Sequence, residues 1–140
     1  MINMRNPSEI KRKSISYSPG GIDNWSKPVF DDELFEPVCM ASLIKVPAKG
    51  NSGKSLLLFS NPDSKDIPKH PRRNLTIKLS SDQGESWSIQ KVLDDGPSGY
   101  SDLAVDKDVI YCLYEKNEEP GNWNYTIVLK RFSVDWLEEE

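Results

Sequence analysis

The sequence predicts an all-β fold, and three observations carry that prediction. Ten prolines and eight glycines break the chain at short intervals, so no helix is expected anywhere. The apolar runs are short and rich in β-branched and aromatic residues. Two of them alternate with period two, the signature of a strand in an antiparallel sheet.

The elements follow in order, each a run bounded by turn residues. Segment 11–18 (KRKSISYS) ends at SPGGIDN, and 38–45 (VCMASLIK) ends before KGNSG. Segment 54–60 (KSLLLFS) runs into SNPDSKD and a polar loop, 61–72, with three prolines. Segment 73–80 (RNLTIKLS) alternates Leu75, Ile77 and Leu79 with Thr76, Lys78 and Ser80, which predicts a half-buried antiparallel strand ending at SDQGES. Segments 88–93 (SIQKVL) and 100–105 (YSDLAV) are separated by DDGPSG. Segment 108–115 (DVIYCLYE) ends at NEEPGN. Segment 124–134 (NYTIVLKRFSV) sets Tyr125, Ile127 and Leu129 against Thr126, Val128 and Lys130.

Composition narrows the function classes. The 140 residues offer room for one ordinary domain, read here as a single unit over 1–140. Lys and Arg total 18 against 22 Asp and Glu, a net charge of −4, which argues against wrapping nucleic acid or coating an anionic membrane. An anionic ligand must therefore be held by locally placed cations. No apolar run approaches the roughly 18 residues of a membrane span. The basic start MINMRNPSEIKRK has no apolar core behind it and is not a secretory signal, which leaves location unknown and a secreted or periplasmic parent chain open. Cys39 and Cys112 are the only cysteines and read as small buried hydrophobes. His70 is the only histidine, which excludes Ser-His-Asp chemistry within one chain and His-rich metal centres, and it reads as solvated. Glu118, Glu119 and Glu138 to Glu140 read as solvated faces, and NYT at 124–126 has the form of a glycosylation acceptor inside an expected strand.

An internal repeat organises these strands. ISYSPGGIDNW at 15–25 resembles LSSDQGESW at 79–87, with an offset of 64 residues from Ser16 to Ser80. A repeat of that size made only of short strands suggests radially arranged sheets, as in propeller blades, and the chain holds a little over two such units. The alternative on periodicity alone is a small all-β sandwich with two similar hairpins. The second copy spells S-x-D-x-G-x-x-W through Ser80, Asp82, Gly84 and Trp87. Asp82 can accept from turn amides, Gly84 permits positive φ, and Trp87 supplies an apolar cover. The first copy is degenerate, with Ser18 in place of the aspartate and Trp25 late.

This turn resembles the Asp box of the sialidase (neuraminidase) family. NMR at 3–5, EPVCMAS at 36–42, LFSNP at 58–62, R-x-N-L-T at 72–76, SGYSDL at 98–103 and CLYE at 112–115 occur in the order and spacing of that family's C-terminal half. The resemblance covers essentially the whole chain. It implies part of a six-bladed β-propeller, about two to two and a half four-stranded blades. It also implies a retaining exo-α-sialidase that releases terminal sialic acid from glycoconjugates with no organic cofactor and no metal.

Residue by residue, the resemblance makes Arg5 the second and Arg72 the third arginine of a carboxylate-binding triad. It makes Tyr100 the nucleophile and Glu115 the acid that orients the triad's first arginine. That first arginine, the Asp acid/base and the Glu partner of the tyrosine have no counterpart here, so turnover by these residues alone is not expected. A sialic-acid-binding, lectin-like module or a non-catalytic propeller remnant is the alternative. Sialylated glycans or free sialic acid are the expected ligands. A part-ring with open strand edges predicts upstream blades or self-association as its cover.

The chemistry of these residue types is consistent with those roles. A guanidinium fork grips a carboxylate through paired charge-assisted bonds that a lysine cannot reproduce. Retaining glycosidases usually attack with a carboxylate. Sialic acid already carries a carboxylate on its anomeric carbon, which would repel an anionic nucleophile, whereas a phenol is neutral until it yields its proton to a nearby base. Without the resemblance, Arg5 reads as a solvated residue beside Lys11, Arg12 and Lys13, and Arg72 and Arg73 as a charged strand entrance. Only one of that adjacent pair can face a site. Tyr100 alone reads as an aromatic at a strand start. Asp102 shares its strand face and reads as a supporting acceptor or a turn residue.

Overall fold

A computed structural model describes residues 1–47, 55–69, 71–118 and 125–139. His70, Glu119, Glu140, Asn124 of NYT and the KGNSG turn lie outside the described residues. Among the described residues the regular elements are all strands except one short helix at the end. β1 (Ile2–Met4), β2 (Arg12–Ser16) and β3 (Val29–Phe35) form one antiparallel sheet in that order. β4 (Ser42–Pro47), β5 (Ser55–Pro62), β6 (Arg73–Ser80), β7 (Ile89–Asp106), β8 (Val109–Lys116) and β9 (Thr126–Phe132) form a second, again in chain order.

The second sheet is two sheets sharing one bent strand. β7 pairs with β6 up to Pro97, then with β8 from Ser98 onward. The segments 88–93 and 100–105 are therefore one strand, and DDGPSG is a bend within it rather than a hairpin turn. Asp94 fixes the bend: its buried carboxylate accepts from Gly96 N–H at 2.9 Å, Tyr114 Oη at 2.6 Å and Lys116 Nζ at 2.7 Å. A three-stranded, a four-stranded and a three-stranded unit thus follow one another, each with antiparallel neighbours.

The two repeat loops occupy equivalent places, between β2 and β3 and between β6 and β7. In the second, Asp82 accepts from Ser86 N–H at 2.9 Å, Ser86 Oγ at 2.6 Å and Ser80 Oγ at 2.7 Å, which holds its carboxyl down at about 2. Gly84 sits at φ 91°. In the degenerate copy the Ser18 hydroxyl takes over, accepting Gly21 N–H at 2.8 Å and donating to the Asp23 carbonyl. Trp87 is buried against Phe59, with ring centroids 5.7 Å apart, whereas Trp25 stays at the surface. Tyr17 Oη donates to the Gly84 carbonyl at 3.1 Å and ties the two loops together.

The main core gathers Val46, Leu58, Leu75, Ile77, Ile110 and Cys112 between the sheets, and a smaller one joins Leu34, Phe59 and Trp87. Both cysteines are buried, which pushes the Cys39 thiol up to about 11 and the Cys112 thiol to about 12.

Several expectations are corrected. Strand 73–80 is buried from Leu75 onward on both faces. Its polar face is satisfied internally: Lys78 pairs with Asp63 at 2.8 Å, and Thr76 donates to the Asn74 carbonyl at 2.8 Å. The faces of 124–134 are reversed, because Val128 and Phe132 pack inward while Ile127 and Leu129 are exposed. The strand expected at 38–45 starts only at Ser42, since Val38 is at φ 59° and breaks the extended run. β1 and β3 were not anticipated; β3 (VFDDELF) is acidic, and its pairing with β2 comes from the partner strand. A short helix, α1 (Val134–Glu138), also exists, where none was expected. The Ser133 side chain caps it, Leu137 is buried in the core, and Lys91 donates to the Trp136 carbonyl at 2.7 Å. Five residues are too few to show a helical period in the sequence.

Candidate active site

Arg5 lies just past β1, Arg72 just before β6, Tyr100 on β7 and Glu115 on β8. The topology brings all four together. Arg5 Nη1 donates to Tyr100 Oη at 3.2 Å across 95 residues. The Arg72 guanidinium lies over the Tyr100 ring, 5.5 Å from its centroid. Tyr100 N–H donates to Glu115 Oε2 at 2.9 Å. Tyr100 itself is 39% exposed, so its hydroxyl can be reached from solvent.

A β-bulge sets this geometry. Ser98 pairs with Lys116 and Ser101 with Tyr114, so β7 spends one residue more than β8 between those two pairs. The extra residue frees Tyr100 N–H from the ladder and turns it onto the Glu115 carboxylate. Gly99 leaves room for this contact, because a Cβ there would push the Glu115 carboxylate aside. On the next residues, Ser101 Oγ and Ser60 Oγ are 2.8 Å apart, and Ser42 Oγ donates to Asp102 at 2.9 Å. Asp102 is thus an exposed acceptor bonded to β4. A cavity of about 180 Å³ opens beside Tyr100, between Asp102, Leu113, Glu115 and Ile127. It is smaller than a typical small-molecule pocket and forms one wall of a site.

The adjacent arginines diverge. Arg72 Nη2 donates to the Val38 carbonyl at 2.5 Å, whereas Arg73 donates to the Asp95 carbonyl at 2.9 Å through Nη2. The bond to Val38 leaves other Arg72 donors for a ligand. Sequence reasoning missed what lies behind the arginines. Glu36 falls within a motif quoted above and Lys13 was named only as a neighbour of Arg5, and neither drew a role. Both are fully buried and paired at 3.0 Å. Burial pulls the Lys13 ammonium below its ordinary value, and Glu36 opposes that shift. Among the described residues no cluster of three or more His, Cys, Asp or Glu could hold a metal, and no helix is long and apolar enough to cross a membrane.

The family described as a BNR repeat-like domain matches residues 1–112. A sialidase of Bacteroides fragilis is 51% identical over 89 residues, covering 60% of this chain and 16% of that protein. A sialidase of Micromonospora viridifaciens is 30% identical over 98% of this chain and 20% of its own length. The chain belongs to the sialidase family. A solved structure, the Hadza microbial sialidase Hz136, superposes on 96% of the chain with a TM-score of 0.75 and 36% identity, over 25% of its own length. The strand units described above are accordingly part of a β-propeller, and the chain spans only 16% and 20% of the lengths of the two curated sialidases.

Proposed function

We propose that this sialidase-family chain is the C-terminal segment of the propeller domain of an exo-α-sialidase and supplies part of its site. Arg5 and Arg72 grip the carboxylate of a terminal sialic acid, Tyr100 is the nucleophile, and Glu115 orients a further arginine from another segment. The observation that carries this reading is the meeting of two guanidinium groups on one accessible phenol, with Arg5 Nη1 at 3.2 Å from Tyr100 Oη. Two cations beside a hydroxyl suit an anionic sugar whose carboxylate and reacting carbon are one bond apart. Glu115 binds the Tyr100 backbone through Oε2, which leaves Oε1 for a guanidinium.

In the reaction, Tyr100 Oη bonds to the anomeric carbon as the glycosidic C–O bond breaks. The phenolic proton passes to a base and the leaving oxygen takes a proton from an acid. Water, giving up a proton to the group that acted as acid, then attacks the same carbon as its bond to Tyr100 Oη breaks; the phenolate regains its proton from the base, and sialic acid leaves with the starting configuration. Neither the acid nor the base is assigned among these residues; the Arg5 guanidinium, a cation, donates to Tyr100 Oη. This favours binding without turnover when the chain stands alone, as in a lectin-like module.

The test is a calorimetric titration of the 140-residue chain with free sialic acid, alongside a fluorogenic α-sialoside assay. Binding is expected, with a loss of about ten- to a hundredfold on Arg72→Lys, the worth of a charge-assisted bond. No turnover is expected. Equal affinity for a neutral hexose would refute the carboxylate grip, and clear turnover would refute the division of labour. The open face of β7 to β9 exposes Leu113, Ile127 and Leu129. Further blades or a second copy of the chain cover it in this reading, and a monodisperse monomer in sedimentation would count against a second copy.

A further inference from the structure

We propose that the buried pair Glu36–Lys13 is a positioning unit that sets the separation of the two arginines by holding the peptide group beside each of them. The inference rests on the reading of Arg5 and Arg72 as the carboxylate grip.

The Glu36 carboxylate divides its two oxygens between the two arginine segments. Oε2 accepts the Asn6 N–H at 3.2 Å, which is the peptide that follows Arg5. Oε1 accepts the Cys39 N–H at 2.9 Å. That N–H belongs to the same peptide plane as the Val38 carbonyl, the acceptor of Arg72 Nη2. One carboxylate therefore reaches Arg5 through one peptide and Arg72 through the other. Lys13 completes the clamp: its Nζ bonds Glu36 Oε2 at 3.0 Å and the Cys39 carbonyl at 2.7 Å.

Two features show that the clamp works against a cost. Val38 is β-branched yet sits at φ 59°, a conformation such residues rarely adopt. The Glu36 and Lys13 bonds on either side of Cys39 hold the backbone in that turn, and the turn aims the Val38 carbonyl at Arg72. Second, both charged side chains are fully buried, and a buried ion pair is an expensive way to gain stability alone. Because the pair is neutral as a unit, it fixes the guanidinium groups without cancelling their charge. Both cations stay available to an incoming anion, and little ordering is left to be done on binding.

The experiment compares Glu36→Gln with Asp63→Asn, which breaks a second buried ion pair, Lys78–Asp63 at 2.8 Å. The Asp63 carboxylate bonds the Lys78 ammonium and the Lys65 N–H, so this variant serves as a stability control. Each full chain is measured for thermal stability, for affinity to free sialic acid, and by NMR for the order of the Arg5 and Arg72 Nε–H groups without ligand. Glutamine keeps one acceptor oxygen, turns an amide toward the other N–H donor and leaves Lys13 without its counter-charge. Glu36→Gln is expected to weaken binding about tenfold or more, as small misplacements of a preorganised group do. It should also release both guanidinium groups from restricted motion. Asp63→Asn should lower stability while leaving affinity within about twofold. Equal effects of the two variants on affinity, or none from Glu36→Gln, would overturn the inference. Should the wild type bind no sialic acid, the carboxylate reading fails, and guanidinium order then decides the positioning claim by itself. Should Glu36→Gln not fold, the wild-type spectrum decides: restricted Nε–H groups support the clamp, and freely rotating ones refute it.

Discussion

Replacing Asp94 by alanine tests how the bend in β7 delivers Tyr100, six residues further on, to the arginines. The carboxylate is 3% exposed and accepts from Tyr114 Oη at 2.6 Å, Lys116 Nζ at 2.7 Å and Gly96 N–H at 2.9 Å. Tyr114 is buried, so its hydroxyl would lose its acceptor out of reach of water, at about 1–3 kcal/mol. The Gly96 N–H is partly buried and adds about 1 kcal/mol. Lys116 and Lys130 are 44% and 40% exposed, and both return to water at little cost. The expected loss is about 2–4 kcal/mol at pH 7, read by urea unfolding with tryptophan fluorescence. The sign of the pH dependence follows from the native carboxyl. Burial pushes it up, but the bonds from Lys116, Tyr114 and Gly96 outweigh burial and hold it well below its ordinary 3.8. The native state therefore binds fewer protons than the unfolded chain around that pH. The contribution is complete above 3.8 and is lost as pH falls through the native value. At pH 3 the gap between wild type and variant should narrow by about 1 kcal/mol. A gap below about 1 kcal/mol at pH 7, or one that widens on acidification, would refute the reasoning.

Further outcomes follow from the same geometry. Gly99→Ala should leave the sheets folded but displace Glu115, since the new Cβ would lie 2.2 Å from Oε2; a loss of the downfield Tyr100 amide signal in NMR checks it. Trp87→Ala removes the cover of the Asp-box hairpin and its contact with Phe59, costing about 3–5 kcal/mol in urea unfolding. Cys39 and Cys112, pushed up to about 11 and about 12 by burial, should resist alkylation at pH 8 until urea unfolds the chain. Fast labelling of the native protein would contradict the packing described.

Local features were legible because their causes are local. Strand β6 was read to its end residues from alternation between turn signals. The Asp-box turn was read from Ser80, Asp82 and Gly84, whose bonds close within seven residues. The opposite failure is instructive at β9. Its apolar residues alternate correctly, but the face that goes inward is set by which side the main core occupies, and that put Ile127 and Leu129 outside. Lys13 drew no role for a related reason. A lysine reads as solvated until a carboxylate 23 residues away is shown to share its burial.

By itself the sequence determined that this chain is built of strands, where the Asp-box hairpin turns, and which residue types could hold an anionic sugar. Those properties depend on φ preferences, side-chain period and donor geometry, all fixed within a few residues. Only the tertiary structure decided that Arg5 touches Tyr100 from 95 residues away, that a bulge turns Tyr100 toward Glu115, and that Glu36 reaches the backbone beside both arginines. Such contacts join groups with no local reason to meet; they form because three strand units packing on shared cores bury polar atoms that must then find one another.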